Sequence, residues 1–498
     1  MDSRELVRSW LDGRASLTDC WTLRIAPRPA PTYGDKFRAA YHWIAENAIL
    51  SPYADMEFGA PVCLEEGDYR IQLHDREGYS SFILLPLLTL MTSRRMVFIG
   101  APGRGKTSVA TLMALLAGYS LEEVRRSAQH GHPQLTIADL LGSPVPSELI
   151  RAKTAEDVRV SWRKWITMRV KIIDEYNRIP TKTQSALLSL LAEGYAEMFE
   201  QPVSAGNSAW FLTANDDLGG GTFPVIEALK DRIDVVVRCA PFHAQHLGAL
   251  ANRIESAQSA EEFVPRDLIF TEEELEAAAQ GVRDVKFPPD VLDAMGFFLG
   301  QLDFCGRASD RLEFMNKDTV QLSGKRLGYV CTEDCPLDKF ENLSSQSENG
   351  VSPRTYQALI HYAKALAYFR GEPAVSVEDV RQLLPWILFD KLKVNQQSGF
   401  FQKTENKVYL TDKASWLHQL FDRALQQHAA YSPVREPLLK LHAEAESGVD
   451  GLTTTQIRER LNQVQQSMTD LLRNNELNGP VHGDLLRLKH LHSRYRNA

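Results

Sequence analysis

The stretch from Met96 to Gly118, MVFIGAPGRGKTSVATLMALLAG, decides the fold class of this chain. It begins as an apolar strand and ends as a helix-forming run that opens at Ser108. Between them lie Gly100, Ala101, Pro102, Gly103, Arg104, Gly105, Lys106 and Thr107, which match the pattern G-x-x-x-x-G-K-[ST] in full. Glycines let successive N–H groups point into one concavity, and the following helix adds the positive end of its dipole. The stretch therefore predicts an α/β fold with an ATP-binding loop, and a Gly-rich turn that binds nothing is the alternative.

An acid pair follows a second buried strand. In VKIIDEYNRIP, Val170 to Pro180, the apolar run ends on Asp174 and Glu175. Two adjacent carboxylates at the edge of a core repel each other, so we expect a cation opposite them. The nucleotide and its Mg²⁺ supply that cation if Lys106 reaches the β- and γ-phosphates, and Thr107 and Asp174 hold the ion. Glu175 then orients and deprotonates the attacking water, whereas the alternative is a solvated strand end.

Composition limits the class of protein. The chain has 498 residues, of which 44% are hydrophobic and 24% charged, as in an ordinary globular protein of about three domains. The net charge of −8 argues against non-specific nucleic-acid binding. The most apolar stretch, FILLPLLTLM, has about half the length of a membrane span, and no signal peptide follows Met1, so we predict a cytoplasmic protein. A metal site on Cys305, Cys331 and Cys335 lacks a fourth ligand at a recognisable spacing.

Three further stretches extend the pattern. AWFLTANDD reads as a strand that ends at Asn215, and ALKDRID places Arg232 just before another strand. Much later, SPRTYQALIHYAKALAYFRGEPAVSVEDVRQLLPWIL reads as two helices joined by a Gly-Glu-Pro turn. Ser376 is the expected N-cap of the second helix, with Asp379 three residues on.

With GAPGRGKT, IIDEYNRIPTKTQSALLSLLAEG, FLTANDD, ALKDRID and SPRTYQALIHYAKALA, the chain resembles the MoxR family of AAA+ ATPases. The resemblance covers residues 80–245 and 350–392. It implies a P-loop core, in which a parallel sheet is flanked by helices, followed by an α-helical lid. It also implies that Asn215 is sensor 1, Arg232 the arginine finger for the ATP of a neighbouring subunit, and Arg354 the sensor 2 arginine of the lid. Each residue also has an alternative reading. Asn215 could simply end a strand, Arg232 could form a surface ion pair with Asp231 or Asp234, and Arg354 could face solvent at the start of a helix.

The family resemblance also implies a working form and partners. A finger that acts on a neighbour's ATP requires a ring, a hexamer in this family. The implied function is a chaperone-like remodeller or activator of client proteins, often together with a von Willebrand A domain protein. Two other classes stay open: a motor subunit of a nucleic-acid-directed defence or restriction system, and a nucleotide-gated scaffold with little turnover.

We divide the chain into an N-terminal extension (1–75), the ATPase core (76–245), a helical lid (246–395) with an insertion at about 300–350, and a mainly helical C-terminal domain (396–498). Trp162, Arg163, Lys164 and Trp165 are candidates for a pore or partner surface, or for a solvated hairpin. A heptad stripe near residues 457–471 fits a coiled coil, a bundle or a winged helix. His482 is expected at the surface.

Overall fold

The computed structural model describes residues 32–49, 53–66, 69–150, 158–215, 222–239, 241–256, 260–330, 342–446 and 452–497. Cys331 and Cys335 lie outside these ranges, so the hypothesis of a cysteine metal site involves residues that are not described. Within the described ranges, no helix is long and apolar enough to cross a membrane. The apolar stretch from residue 82 onward is instead a core helix with its side chains buried.

Thirteen strands are described. In chain order they are β1 (Met56–Glu57), β2 (Pro61–Glu66), β3 (Tyr69–His74), β4 (Gly78–Tyr79), β5 (Arg95–Ile99), β6 (Gln129–His130), β7 (Gly142–Pro144), β8 (Val160–Trp162), β9 (Val170–Asp174), β10 (Tyr195–Met198), β11 (Gln201–Ser204), β12 (Ala209–Ala214) and β13 (Val235–Arg238). Five of them form a parallel sheet in the order β13-β5-β12-β9-β6. The other eight form four two-stranded antiparallel pairs.

The helices flank this sheet and continue beyond it. In chain order they are α1 (Tyr33–Trp43), α2 (Ser81–Thr92), α3 (Lys106–Leu116), α4 (Leu121–Ser127), α5 (Ile137–Leu141), α6 (Pro146–Leu149), α7 (Thr181–Glu193), α8 (Glu227–Arg232), α9 (Leu247–Ser256), α10 (Glu272–Asp284), α11 (Pro289–Asp303), α12 (Lys317–Leu322), α13 (Leu327–Val330), α14 (Pro353–Arg370), α15 (Val377–Leu388), α16 (Gly399–Gln402), α17 (Lys413–Glu446), α18 (Thr454–Asn474) and α19 (Gly479–Asn497).

Both faces of the sheet are buried, which explains why its strands are almost continuously apolar. Successive side chains of a strand point to opposite faces. Met96 and Phe98 accordingly pack with α2, α3 and the lid, while Val97 packs with α5, α7 and α8 on the other face. The predicted parallel sheet with helices on both sides is therefore confirmed.

The two helices expected near residues 352–388 are α14 and α15. Gly371 ends α14 in the left-handed conformation, with φ of 79°, where a residue without a Cβ is favoured. Ser376 caps α15, and its hydroxyl accepts a hydrogen bond from the N–H of Asp379, whose carboxylate accepts one from the N–H of Ser376. This capping box confirms the predicted start of the helix.

The described C-terminal part is mainly helical. α17, α18 and α19 share a small apolar core of their own, and the heptad positions Val464 and Leu471 are buried in it. This arrangement is a helical bundle. The surface prediction for His482 is wrong, because the residue is 8% exposed and its Nε2 lies 2.7 Å from the carbonyl oxygen of Leu312. Trp165 is also buried, and its indole N–H donates to the carbonyl of Leu140.

Candidate active site

The loop between β5 and α3 contains the glycines that the motif predicts. Gly103 and Gly105 have φ of 76° and 74°, a region that residues with a Cβ rarely adopt. Gly105 directly precedes Lys106, the first residue of α3, so the N–H groups of the first helical turn face the loop. The loop therefore has the geometry of an anion cradle at a helix N-terminus.

The Lys106 side chain extends across this loop. It is 7% exposed and donates to the carbonyls of Gly100 and Ala101 and to Oδ1 of Asn215, which lies 2.8 Å from its Nζ. Asn215 follows β12 directly, and β12 pairs with β5 on one side and β9 on the other. Two stretches that are far apart in sequence thus meet at one edge of the sheet, as the ends of neighbouring parallel strands must.

A second chain of hydrogen bonds joins the loop to the acid pair. The Thr107 hydroxyl donates to Oδ1 of Asp174 at 2.9 Å, and the Thr213 hydroxyl donates to the same oxygen at 2.5 Å. On the other side of this carboxylate, Nδ1 of His130 lies 3.4 Å from Oδ2. A hydroxyl and a carboxylate oxygen side by side are ligands of the kind that Mg²⁺ prefers, so Thr107 and Asp174 fit the predicted ion.

Glu175 is held in an unusual conformation. Its φ is 52°, in the left-handed region, which costs a residue with a side chain roughly 1–2 kcal/mol. Its N–H donates to Oγ1 of Thr213 at 2.9 Å, and its carboxylate accepts from Nδ2 of Asn215 at 2.6 Å and lies 3.3 Å from Nε of Arg178. A Cβ on Gly131 would lie 2.2 Å from the Glu175 carbonyl oxygen, so only glycine fits there.

The two predicted arginines take no part in these hydrogen bonds and belong to a second cluster around Asp231, which pairs with Arg354 and directly precedes Arg232 in the chain. Arg354, at the start of α14, forms an ion pair with Asp231, with 2.9 Å between Nη1 and Oδ2. Arg232, the last residue of α8, donates to the carbonyl of Ala228 in its own helix. The surface ion pair considered for Arg232 does not form, because Asp231 pairs with Arg354 and Asp234 with Arg94 and Arg95.

A cavity of about 280 Å³ opens beside the phosphate loop. The loop side is formed by Gly103, Arg104, Gly105 and Ser108. The remaining walls are formed by Ala48, Ile49, Tyr53, Asp55, Ser80, Ser81, Phe82, Arg238, Cys239, Pro241, Phe242 and Arg253. Arg253 of α9 holds the N-terminal wall in place by donating to the carbonyl of Ala48 at 2.8 Å. Burial raises the pKa of Asp55 in this wall, whose carboxylate accepts hydrogen bonds from the N–H and hydroxyl of Ser81.

Several site residues were not found from the sequence. Thr213 and Arg178 lie inside stretches that the analysis quoted, and their position two or three residues from a predicted catalytic residue was a usable signal. The cavity wall formed by Ala48, Ile49, Tyr53, Asp55 and residues 80–82 had no such signal, since neither segment carries a motif. These walls become recognisable only when the fold brings them to the loop.

The family comparison bears on the fold. Residues 95–235 match the family described as "ATPase family associated with various cellular activities (AAA)". The chain has an AAA+ fold. Residues 341–408 match the family described as "AAA lid domain". The first range includes the phosphate loop, the acid pair, Asn215 and Arg232, and the second includes Arg354. The matched ranges together cover less than half of the chain.

Individual relatives are distant. The "Uncharacterized protein YeaC" of Bacillus subtilis is 23% identical over 330 residues, which cover 65% of this chain and 85% of that protein. A crystal structure from Cytophaga hutchinsonii, provisionally described as that of an ATPase, superimposes on this chain with a TM-score of 0.50. The two sequences are 15% identical, and the superposition covers 78% of this chain and 94% of that one. This likeness supports the AAA+ fold alone. A full-length MCM homolog from Methanopyrus kandleri matches at 12% identity over 62% of this chain and 55% of its own, and its TM-score of 0.35 supports no argument.

Proposed function

We propose that this protein is an Mg²⁺-dependent ATPase of the MoxR type, which works as a ring and remodels or activates partner proteins. One observation carries the proposal: Asn215 links the Lys106 ammonium, 2.8 Å away, to the Glu175 carboxylate, 2.6 Å away. A triphosphate lying along the loop would end beside Asn215, with Glu175 next to it. This is the arrangement that hydrolysis of a terminal phosphate requires.

Each side chain then has a distinct task. Lys106 and the loop N–H groups neutralise phosphate charge, and Asn215 orients a water molecule. Glu175 accepts a proton from that water as it attacks phosphorus, and its bond to Asn215 and its contact with Arg178 keep it pointing at the site. When bound between Thr107 and Asp174, Mg²⁺ supplies further neutralisation of the developing charge. The cavity beside the loop is the proposed place of the adenine base.

The ring is proposed because the family resemblance makes Arg232 the finger for the ATP of a neighbouring subunit. Among the described residues its guanidinium forms no ion pair, and its buried Nε has no hydrogen-bond partner. A cation in this situation fits a role at the nucleotide of a neighbouring subunit. The hexameric state, the division of the chain near residues 75, 245 and 395, a von Willebrand A domain partner and the class of client protein are proposed from the family resemblance.

The Glu175→Gln variant tests the catalytic assignment. It keeps the shape of the side chain and the oxygen that accepts from Asn215, but it cannot take a proton. We expect ATP binding, measured with a fluorescent analogue, to be retained, and hydrolysis to fall by roughly 10²–10⁴-fold. Glu197→Gln makes the same change at an exposed position of β10 and should leave both quantities unaltered. Normal hydrolysis by Glu175→Gln would show that another group is the base.

The ring requires a separate measurement. If Arg232 completes a neighbour's site, the hydrolysis rate per chain should rise with protein concentration through the micromolar range. A rate independent of concentration, from a protein that sizing shows to be monomeric, would contradict the role proposed for Arg232. Stimulation of hydrolysis by DNA or RNA would favour the nucleic-acid motor considered above, and strong salt dependence should accompany it.

A further inference from the structure

Asp231 lies between the two arginines of the second cluster. It directly precedes Arg232 in α8, and its carboxylate accepts hydrogen bonds from the Ser352 hydroxyl at 2.6 Å and from Nη1 of Arg354 at 2.9 Å. The helix that carries the proposed finger is thereby attached to the helix that carries the proposed sensor of the lid. No motif pointed to Asp231, because the sequence does not show which groups its carboxylate contacts.

Ser352 indicates that this attachment is specific. It occupies the N-cap position of α14, where a serine ordinarily accepts a hydrogen bond from an N–H of the first turn. In this structure the Ser352 side chain makes no such cap bond, and its hydroxyl donates to Asp231 instead. Burial raises the pKa of Asp231, but the hydrogen bonds from Ser352 and Arg354 outweigh it and lower that pKa overall. The carboxylate is therefore held as an anion facing the lid.

The ion pair can be broken by a competing anion. The Arg354 side chain is 53% exposed, and an exposed ion pair of this kind contributes little to stability. A nucleotide phosphate carries more negative charge than a carboxylate, and it offers the planar guanidinium of Arg354 several oxygens that can accept hydrogen bonds. A phosphate that reaches Arg354 would therefore displace Asp231. Among the described residues, one further ion pair joins α8 to the lid side. It is formed by Glu227 and Lys393 at 3.9 Å, and 71% of the Glu227 side chain is exposed.

We propose that Asp231 is a positioning residue that couples two ATP sites of the ring. With no nucleotide bound, Asp231 holds Arg354 away from its own site and fixes α8, and therefore Arg232, against the lid. When ATP draws Arg354 to its phosphates, Asp231 loses this partner, and α8 is attached to the lid side more weakly, by the Ser352 hydrogen bond and the exposed Glu227–Lys393 pair. The position of Arg232 at the neighbouring subunit then depends on the nucleotide state of its own subunit. This inference rests on the proposed roles of Arg232 and Arg354.

The test is equilibrium binding of ATP to the full chain with Glu175→Gln, in which hydrolysis does not interfere. Adding Asp231→Asn keeps the size of the side chain but removes the charge that retains Arg354. We expect ATP affinity to rise two- to tenfold, since Arg354 no longer has to leave a partner, and the Hill coefficient to fall toward one. Asp231→Glu should retain part of the coupling. Glu227→Gln removes the contacts of Glu227 with Lys393 and, inside α8, with Lys230, and it should change neither quantity.

Three results would overturn the coupling: an unchanged affinity and Hill coefficient in Asp231→Asn, equal effects in Glu227→Gln, or a Hill coefficient of one without the Asp231 substitution. A general loss of structure would instead lower affinity, so the expected increase separates positioning from damage. The proposed function is judged independently, by Mg²⁺-dependent hydrolysis in the wild-type chain. A chain that binds no ATP would overturn both.

Discussion

Replacing Thr213 by valine tests how the acid pair is held. Thr213 is fully buried in β12, and valine has nearly the same shape, so no cavity is created. The change removes one hydroxyl, which accepts from the N–H of Glu175 at 2.9 Å and donates to Asp174 at 2.5 Å. The perturbation is therefore almost purely the loss of two hydrogen bonds at the point where the backbone of Glu175 is in the left-handed conformation.

The magnitude follows from these two bonds. A buried N–H left without a partner costs about 1–3 kcal/mol, and a hydrogen bond to a charged group contributes about 1.5–3 kcal/mol. The second figure must be reduced, because the Asp174 side chain is 20% exposed and keeps its bond from Thr107. We expect Thr213→Val to lower the free energy of unfolding by about 2–4 kcal/mol. Thr213→Ser keeps the hydroxyl and loses one methyl, at a cost of about 1 kcal/mol.

Urea unfolding without nucleotide or Mg²⁺ measures the global effect. Hydrogen exchange of the peptide spanning β9 measures the local effect, which matters because a multidomain chain need not unfold in one step. The decisive comparison is valine against serine. Burial of apolar surface favours valine, whereas the hydrogen-bond argument favours serine. A Thr213→Val protein as stable as Thr213→Ser, with unchanged exchange in β9, would refute the reasoning.

Three further predictions concern other residues. Burial lowers the pKa of Lys171 to about 7, so as the pH rises the folded chain releases this proton before the unfolded chain does. The free energy of unfolding of the wild type should therefore rise from pH 7 until the unfolded pKa, near 10.4, is reached. Lys171→Met should lack that rise, and urea titrations at pH 7 and 9.5 that show the same pH dependence for both proteins would contradict the prediction. Gly131→Ala should cut hydrolysis more than ATP binding, because its Cβ would collide with the Glu175 carbonyl, whereas Gly248→Ala, in open space, serves as the harmless control. Arg435→Met should destabilise the C-terminal bundle by about 1–3 kcal/mol, because the buried Asp484 loses its nearest cation and keeps only Arg487 at 3.7 Å, while Asp293 keeps His428. Limited proteolysis that finds the bundle as resistant as in wild type would exclude this.

The part of the site that could be predicted lies at the ends of strands. Lys106, Glu175 and Asn215 each follow an apolar strand of a parallel sheet, and such strands bring their carboxyl ends to one edge, so the sequence order of the motifs already implied their meeting. The helix start at Ser376 could also be predicted, because a capping box depends only on two residues that are three positions apart in the sequence.

The rest depends on packing between segments that the sequence does not align. Asp231 and Arg354 are over a hundred positions apart, and nothing in either stretch specifies their ion pair. One wall of the cavity beside the phosphate loop is contributed by an N-terminal segment without a motif. His482 looked like one of several irregularly spaced histidines, and only its contact with the Leu312 carbonyl explains its burial. Periodicity reports which face of a helix is apolar, and it does not report the polar partner that a neighbouring segment supplies.

The strand order of the central sheet has a consequence for the newly made chain. β5 pairs with β12 and β13, and the first of these partners leaves the ribosome roughly a hundred residues later, or about 5–20 s at ordinary synthesis rates. During that interval an apolar strand has both edges unpaired, although the phosphate loop that follows it is already present. Nucleotide cannot yet stabilise the nascent chain, because Asn215 and the far wall of the cavity have not been made. The growing polypeptide therefore needs protection from aggregation during the same seconds in which its most recognisable motif is still unable to bind.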